Sequence, residues 1–268
     1  MPKLIEFAEL IHDINVPYKV LEEIKVNSLV PYQKRLFSSA SNDLGLYLLS
    51  HGKTQEALKV LMRSLEVDSR EPVTYSNLGY AMLVKTKDIN KAIEYYNKAL
   101  KIDPNMFEAH YNLGYAYFSV NCIGDAIYHY KKAKEINKDD QTATRNLDIA
   151  IKKKKETEIK IDRLKNELKQ SQDNIKMLYE IAVLCTYTGD YNSSLIYLNK
   201  IAGITPEDPD IYYNIACIYA RKDNKDDSLR YLDLAINKGF HNWSLLKTDK
   251  DLYNIRGTKY YMECIDKY

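Results

Sequence analysis

The chain has 268 residues, 45% of them apolar and 28% charged, enough to bury a large core as one elongated domain or two. Its formal charge of +2 supplies no field for gripping nucleic acid or an anionic membrane, and no stretch approaches about 18 uninterrupted apolar residues. Nucleic-acid binding and a membrane span are therefore not expected, and nine Gly with seven Pro suit a chain that is mostly helical.

The first predicted elements are short. Leu4, Phe7, Leu10, Ile11 and Ile14 fall at helical spacing, as do Val20, Leu21 and Ile24 after Pro17, which predicts a helical pair over residues 1–37 at the head of the chain. Glu6, Glu9, His12 and Asp13 interrupt any apolar leader core. Pro31 then opens a helix that runs into the first of a series of frames.

Those frames begin at Ser38, Pro72, Phe107, Gln141, Ile175 and Pro209, at intervals of 34, 35, 34, 34 and 34 residues. Asn77-Leu78-Gly79-Tyr80-Ala81 returns as Asn112-Leu113-Gly114-Tyr115-Ala116. The eighth place reads Gly45, Gly79, Gly114, Asp148, Ala182 and Ala216, and small residues there let two helices approach closely. The twentieth place reads Ala57, Ala92 (after a one-residue insertion), Ala126, Lys160, Ser194 and Ser228, with Leu61, Tyr96, Tyr130, Leu164, Leu198 and Leu232 following. Pro104 and Pro206 stop second helices. A period of about 34 residues means stacked helical hairpins, none of which can bury its apolar face alone.

In this order of Leu-Gly, Tyr, Ala, aromatic, Ala and Pro, the chain resembles the tetratricopeptide repeat family over roughly residues 38 to 242. The resemblance implies an all-α fold, a right-handed α-superhelix (solenoid) of helix-turn-helix repeats, with residues 1–37 leading into the array. Residues 38–140 would form three repeats and residues 175–242 two more. Between them, residues 141–174 contain no Gly or Pro in their first 32 positions, and Lys152 to Lys155 stand where a hairpin turn belongs. The segment is either a degenerate repeat or one long lysine-rich connecting helix. Beyond the last frame, Gly239-Phe240 ends a helix, and residues 243–268 supply apolar cover through Trp243, Leu246, Leu252, Ile255, Tyr260 and Tyr261. Asp249, Leu252, Arg256 and Tyr260 are similar to the tail found after many bacterial arrays of the family, which implies a C-terminal cap.

The family lines its concave groove with the second, fifth, sixth, ninth, twelfth and thirteenth places of each first helix. The resemblance therefore points to a row of amides at the sixth place, Asn77, Asn112, Asn146 and Asn214, each with a donor and an acceptor for a peptide backbone. Tyr80, Tyr111, Tyr115, Phe118 and Tyr213 join them as aromatic clamps. Tyr75, Tyr96, Tyr117, Tyr130, Tyr212 and Tyr219 fall in packing places. Members that grip a chaperone's carboxylate tail need Lys and Asn where Asn42 and Leu46 stand here, and Lys and Arg where Glu108 and Asn112 stand, so that role is not expected.

An enzyme is not expected either. His12, His51, His110, His129 and His241 are dispersed, with no metal-binding pair, phosphate loop or nucleophile elbow. Cys122, Cys185, Cys217 and Cys264 lack paired spacing and read as reduced thiols of a cytoplasmic protein. The expectation is a non-catalytic, cofactor-free module that binds a protein or linear peptide in its groove. The alternative is a scaffold that assembles a complex or a homodimer, or a regulatory subunit, acting through the convex face or the connecting helix; a homo-oligomer is left open, not predicted.

Overall fold

The computed structural model describes residues 15–24 and 29–267, and every regular element among them is helical. The first expected helix, residues 4–14, lies outside the described residues. The second is present as α1 (Asn15–Glu23), ended by Arg63, which donates to the carbonyls of Glu22 and Ile24. There follow α2 (Pro31–Ser50), α3 (Thr54–Val67), α4 (Pro72–Tyr80), α5 (Ile89–Ile102), α6 (Phe107–Ser119) and α7 (Ile123–Ile136). Then come α8 (Gln141–Leu168), α9 (Ile175–Thr188), α10 (Tyr191–Ile204), α11 (Pro209–Arg221), α12 (Lys225–Asn237), α13 (Trp243–Thr248) and α14 (Lys259–Lys267). Five of the six frame starts are thus the first residue of a helix, and at four of them an acceptor side chain stands just before. Glu71, Asp140, Asn174 and Asp208 each cap free N–H groups of the turn after them.

Among the described residues, those up to 116 together with 132–139 form one compact unit, and residues 117–131 with those from 140 onward form a second. In the first unit the core holds Phe37, Leu44, Leu48, Ala57 and Val60, with Leu21 of α1 packed into it. Gly45 and Gly79 do what the eighth place predicts. A β-carbon at Gly79 would lie 2.7 Å from Cε1 of the fully buried Tyr96, and one at Gly45 would lie 2.7 Å from Leu61 Cδ2. The one-residue insertion is absorbed by widening α4 into a π-helical segment, Ala81–Thr86. There the Met82 carbonyl accepts from both Lys87 and Asp88, and Lys87 turns left-handed at φ 61° before α5 begins.

The second unit contains the answer to the ambiguous fourth frame. Residues 141–168 are one unbroken helix of 28 residues. Other frames turn through left-handed Gly52, Lys87, Asn121, Gly189 and Asp223, and nothing comparable interrupts α8. The twentieth place gives the reason. Ala57, Ala92, Ala126, Ser194 and Ser228 are fully buried between the two helices of their hairpins, whereas this frame has Lys160, whose ammonium would have to enter that seam. As a straight helix it stays in water and pairs with Glu180 at 2.7 Å. Ile161, Leu164 and Leu168 then pack on Leu178, Ile181, Leu198 and Ile215 of α9, α10 and α11. At the C-terminal end, Leu246, Leu252, Ile255 and Tyr261 close over Ala216, Ala220, Leu232 and Ala235 of α11 and α12.

Candidate peptide-binding site

In the second unit α9 and α11 present their groove places to a common cavity of about 270 Å³. Tyr179, Val183 and Tyr187 line it from the fifth, ninth and thirteenth places of α9, and Asn214, Cys217 and Arg221 from the sixth, ninth and thirteenth of α11. The small Ala182 and Ala216 at the eighth places let each first helix sit close to its partner, which sets the depth of the cavity. Asn214 Nδ2 reaches Tyr179 Oη at 3.5 Å, a contact long enough to leave the amide available to a peptide backbone. Thr186 Oγ1, by contrast, is engaged with Ser194 Oγ at 2.9 Å and the Ala182 carbonyl at 3.0 Å.

One end of the cavity carries charge. The Arg221 side chain is 9% exposed and pairs with Asp125 and, at 3.8 Å, with Asp251. Its guanidinium lies 5.0 Å over the Tyr191 ring, and Tyr191 Oη donates to Asp125 Oδ1 at 3.0 Å. Burial works against the charge of Arg221, but the carboxylates of Asp251 and Asp125 outweigh it and hold the guanidinium well above its ordinary pKa. Lys250 stands beside Asp251 at 3.6 Å, and burial is likewise outweighed there by the carboxylate. Two cations and two carboxylates therefore form a nearly neutral rim that does not attract one sign of ligand.

The residues expected from the sequence fall into different settings. Asn77 and Asn112, with Tyr80, Tyr111 and Tyr115, belong to the first unit, whereas Asn146, Phe118, Tyr213 and Asn214 belong to the second. Tyr80 and Tyr115 are exposed; Tyr111, Asn112, Phe118 and Asn146 are half-buried. Asn77 is a correction to the row of amides expected to face a peptide backbone: it is 8% exposed, and its Nδ2 donates to buried Asn42 at 3.1 Å. Asn214 and Tyr179 repeat this relation, a sixth-place amide reaching the fifth place of the preceding repeat. Replacing Asn77 by Ala strands the Asn42 carbonyl oxygen and is expected to cost about 1–3 kcal/mol, seen as a lower urea midpoint at unchanged slope.

Tyr213 is a correction as well. Although it stands in a groove place, it is 4% exposed, stacked on Phe240 at 4.2 Å, and donates to Asp249 Oδ2 at 2.8 Å. The tail covers the fifth place of the last repeat, so this ring is core and not clamp. Sequence reasoning missed Tyr179, Val183, Tyr187 and Arg221, which the same groove places applied to the frames at Ile175 and Pro209 would have found. No spacing rule could have found Lys250 and Asp251, which the tail delivers.

Other chemistry-bearing groups have structural settings. His110 Nε2 contacts the Pro104 carbonyl at 3.0 Å, and burial lowers its pKa. The four thiols are free and buried; burial raises those of Cys122 and Cys217, and that of Cys185 to about 11. Among the described residues no group of three His, Cys, Asp or Glu could hold a metal ion, and no helix is long and apolar enough to cross a membrane.

Comparison with known proteins bears on the repeats directly. A TPR repeat model matches residues 82–121, and tetratricopeptide repeat models match residues 107–140 and 209–237. Anaphase-promoting complex subunit 3 of Schizosaccharomyces pombe is 19% identical over 182 residues, 68% of this chain and 27% of that protein. A TPR repeat-containing protein of Methanocaldococcus jannaschii is 26% identical over 160 residues, 60% of this chain and 28% of that protein. The chain thus spans little more than a quarter of the length of either relative. A solved tetratricopeptide repeat protein from Parabacteroides merdae is 17% identical, with a TM-score of 0.48 over 94% of this chain and 96% of that one. The period, the small-residue seams of the hairpins and the family matches agree, and the chain is a tetratricopeptide repeat-containing protein.

Proposed function

We propose that the chain is a non-catalytic interaction module that binds a linear segment of a partner protein in the groove of the second unit. Tetratricopeptide repeats mediate protein and peptide binding in general, and the observation that carries the reading here is the cavity between α9 and α11. Its 270 Å³ suits one bulky side chain, with the rings of Tyr179 and Tyr187 as walls and the Asn214 amide beside the peptide backbone. Burying one aromatic side chain of about 150–250 Å² contributes about 4–6 kcal/mol, and a backbone hydrogen bond adds about 1. Association costs at least about 4, so a single anchor binds weakly and flanking contacts must bring a short segment to micromolar affinity. The nearly neutral rim favours uncharged anchors. In the first unit Tyr80, Tyr111, Asn112 and Tyr115 form a further contact surface on this reading.

The test is selection of a displayed random-peptide library on the full chain, followed by titration of the selected peptides against the parent and a Tyr179→Ala/Asn214→Ala double variant. The expected result is peptides that share a bulky apolar anchor and lose tenfold or more in affinity, about 1.4 kcal/mol or more, on the variant. Peptides that bind both proteins equally would remove the cavity from the site.

A further inference from the structure

The outward face of α8 carries a pattern that neither the array nor the groove uses. Ala150, Thr157, Ile161 and Leu164 turn one side of this helix inward. On the opposite side Ile149, Lys152, Glu156 and Ile159 follow one another at alternating spacings of three and four residues, the stripe along which a second helix packs. Ile149 is 45% exposed and Ile159 63%, so both ends of the stripe leave apolar surface open to solvent. Lys154 pairs with Glu158, Lys160 with Glu180 and Arg163 with Glu167, but Lys152 and Glu156 take part in no ion pair among the described residues. The stripe is also symmetric about Lys154: the two isoleucines are equidistant from it, and so are this lysine and glutamate, which carry opposite signs.

We propose that this face is an antiparallel, two-fold interface between two copies of the chain. A two-fold axis level with Lys154 sets Ile149 against the partner's Ile159, and Lys152 against the partner's Glu156, each contact made twice. The charges disfavour two alternatives. A parallel pair would oppose Lys152 to the partner's Lys152, and sliding the helices by one heptad toward overlap of their C-terminal halves would oppose it to the partner's Arg163. Outside the isoleucines, Arg145 meets the partner's Arg163, whose charge Glu167 already balances at 2.8 Å. One helix face covers less than the roughly 1,000 Å² of a stable complex, so the dimer is weak and forms reversibly with concentration.

Sedimentation equilibrium of the full chain up to about millimolar concentration tests the proposal. The parent is expected to show a monomer–dimer equilibrium, and Lys152→Glu or Glu156→Lys alone to weaken it about tenfold or more, with helicity by circular dichroism unchanged. An equimolar mixture of the two single variants, and the double variant carrying both changes, are expected to recover the dimer, because each restores the crossed pairs. That recovery separates an intermolecular pair from the same two residues interacting within one helix. A parent that stays monomeric, a single variant that dimerises as tightly as the parent, or a mixture that does not recover would each overturn it.

Discussion

Replacing Arg221 by Ala is expected to lower the melting temperature of the second unit by about 6–12 °C. The guanidinium is the only cation among the described residues that pairs with Asp125, and it holds Asp251 as well. Its removal leaves Asp125, beside the Tyr191 ring, without a cation, and leaves Asp251 to Lys250 alone. Breaking a buried pair in this way costs about 3–5 kcal/mol, and because both carboxylates keep some contact with solvent the lower end applies. Arg221→Lys should recover little, since an ammonium cannot serve both carboxylates and does not stack on Tyr191 as a planar guanidinium does. Thermal melting by circular dichroism measures the loss, and native-state hydrogen exchange assigns it, with protection falling in α10 and α11 and holding in α2 to α5. A variant that melts within a degree or two of the parent would mean that the cluster is solvated and that the end of the cavity is open to water.

Arg221 also marks the limit of what the chain's residues disclose. The repeats are legible because each hairpin solves the same local problem, a small residue at the eighth place, another at the twentieth, and an acceptor before the first helix. Gly79 under Tyr96 and Ser228 donating to the Ala216 carbonyl at 2.9 Å are two versions of that one contact. The unbroken α8 is half legible, since four lysines are a poor turn, but the decisive residue is Lys160, which matters only once the seam it would enter is known. Site residues are the least legible. A groove place guarantees which way a side chain leaves its helix, not what covers it afterwards. Tyr213 obeys the rule and is still buried, because Phe240 and Asp249 close over it. Tyr179 obeys the same rule with nothing of that kind above it and remains exposed.

The cavity and the charge cluster depend on a single backbone approach, which makes Gly124→Ala the sharper test of the second unit. Gly124 lies in the first turn of α7, where Ala would ordinarily favour the helix by about 1 kcal/mol. Here a β-carbon would stand 2.7 Å from Gly189 Cα, 2.8 Å from Gly189 N and 2.8 Å from the Thr188 carbonyl. These are backbone atoms of the α9–α10 turn, and Gly189 holds φ 83°, so no side-chain rotation relieves the overlap. The two turns must separate, carrying Asp125 away from Arg221 and Tyr191, which come from the elements beyond Gly189. Overpacking of this kind costs about 1–3 kcal/mol and overrides the gain in helix propensity. Because the clash is with backbone, the upper end of that range, about 3 kcal/mol, applies, and less the gain of about 1 the expected outcome is a net loss of about 2 kcal/mol, with the melting temperature down by about 4–8 °C. Gly203→Ala, which meets nothing within 4 Å inside α10, serves as the control and should be neutral or slightly stabilising. Equal melting of the two variants would show that the turns are not in contact in solution, and the cavity would then lose the wall that Val120 and Cys122 provide.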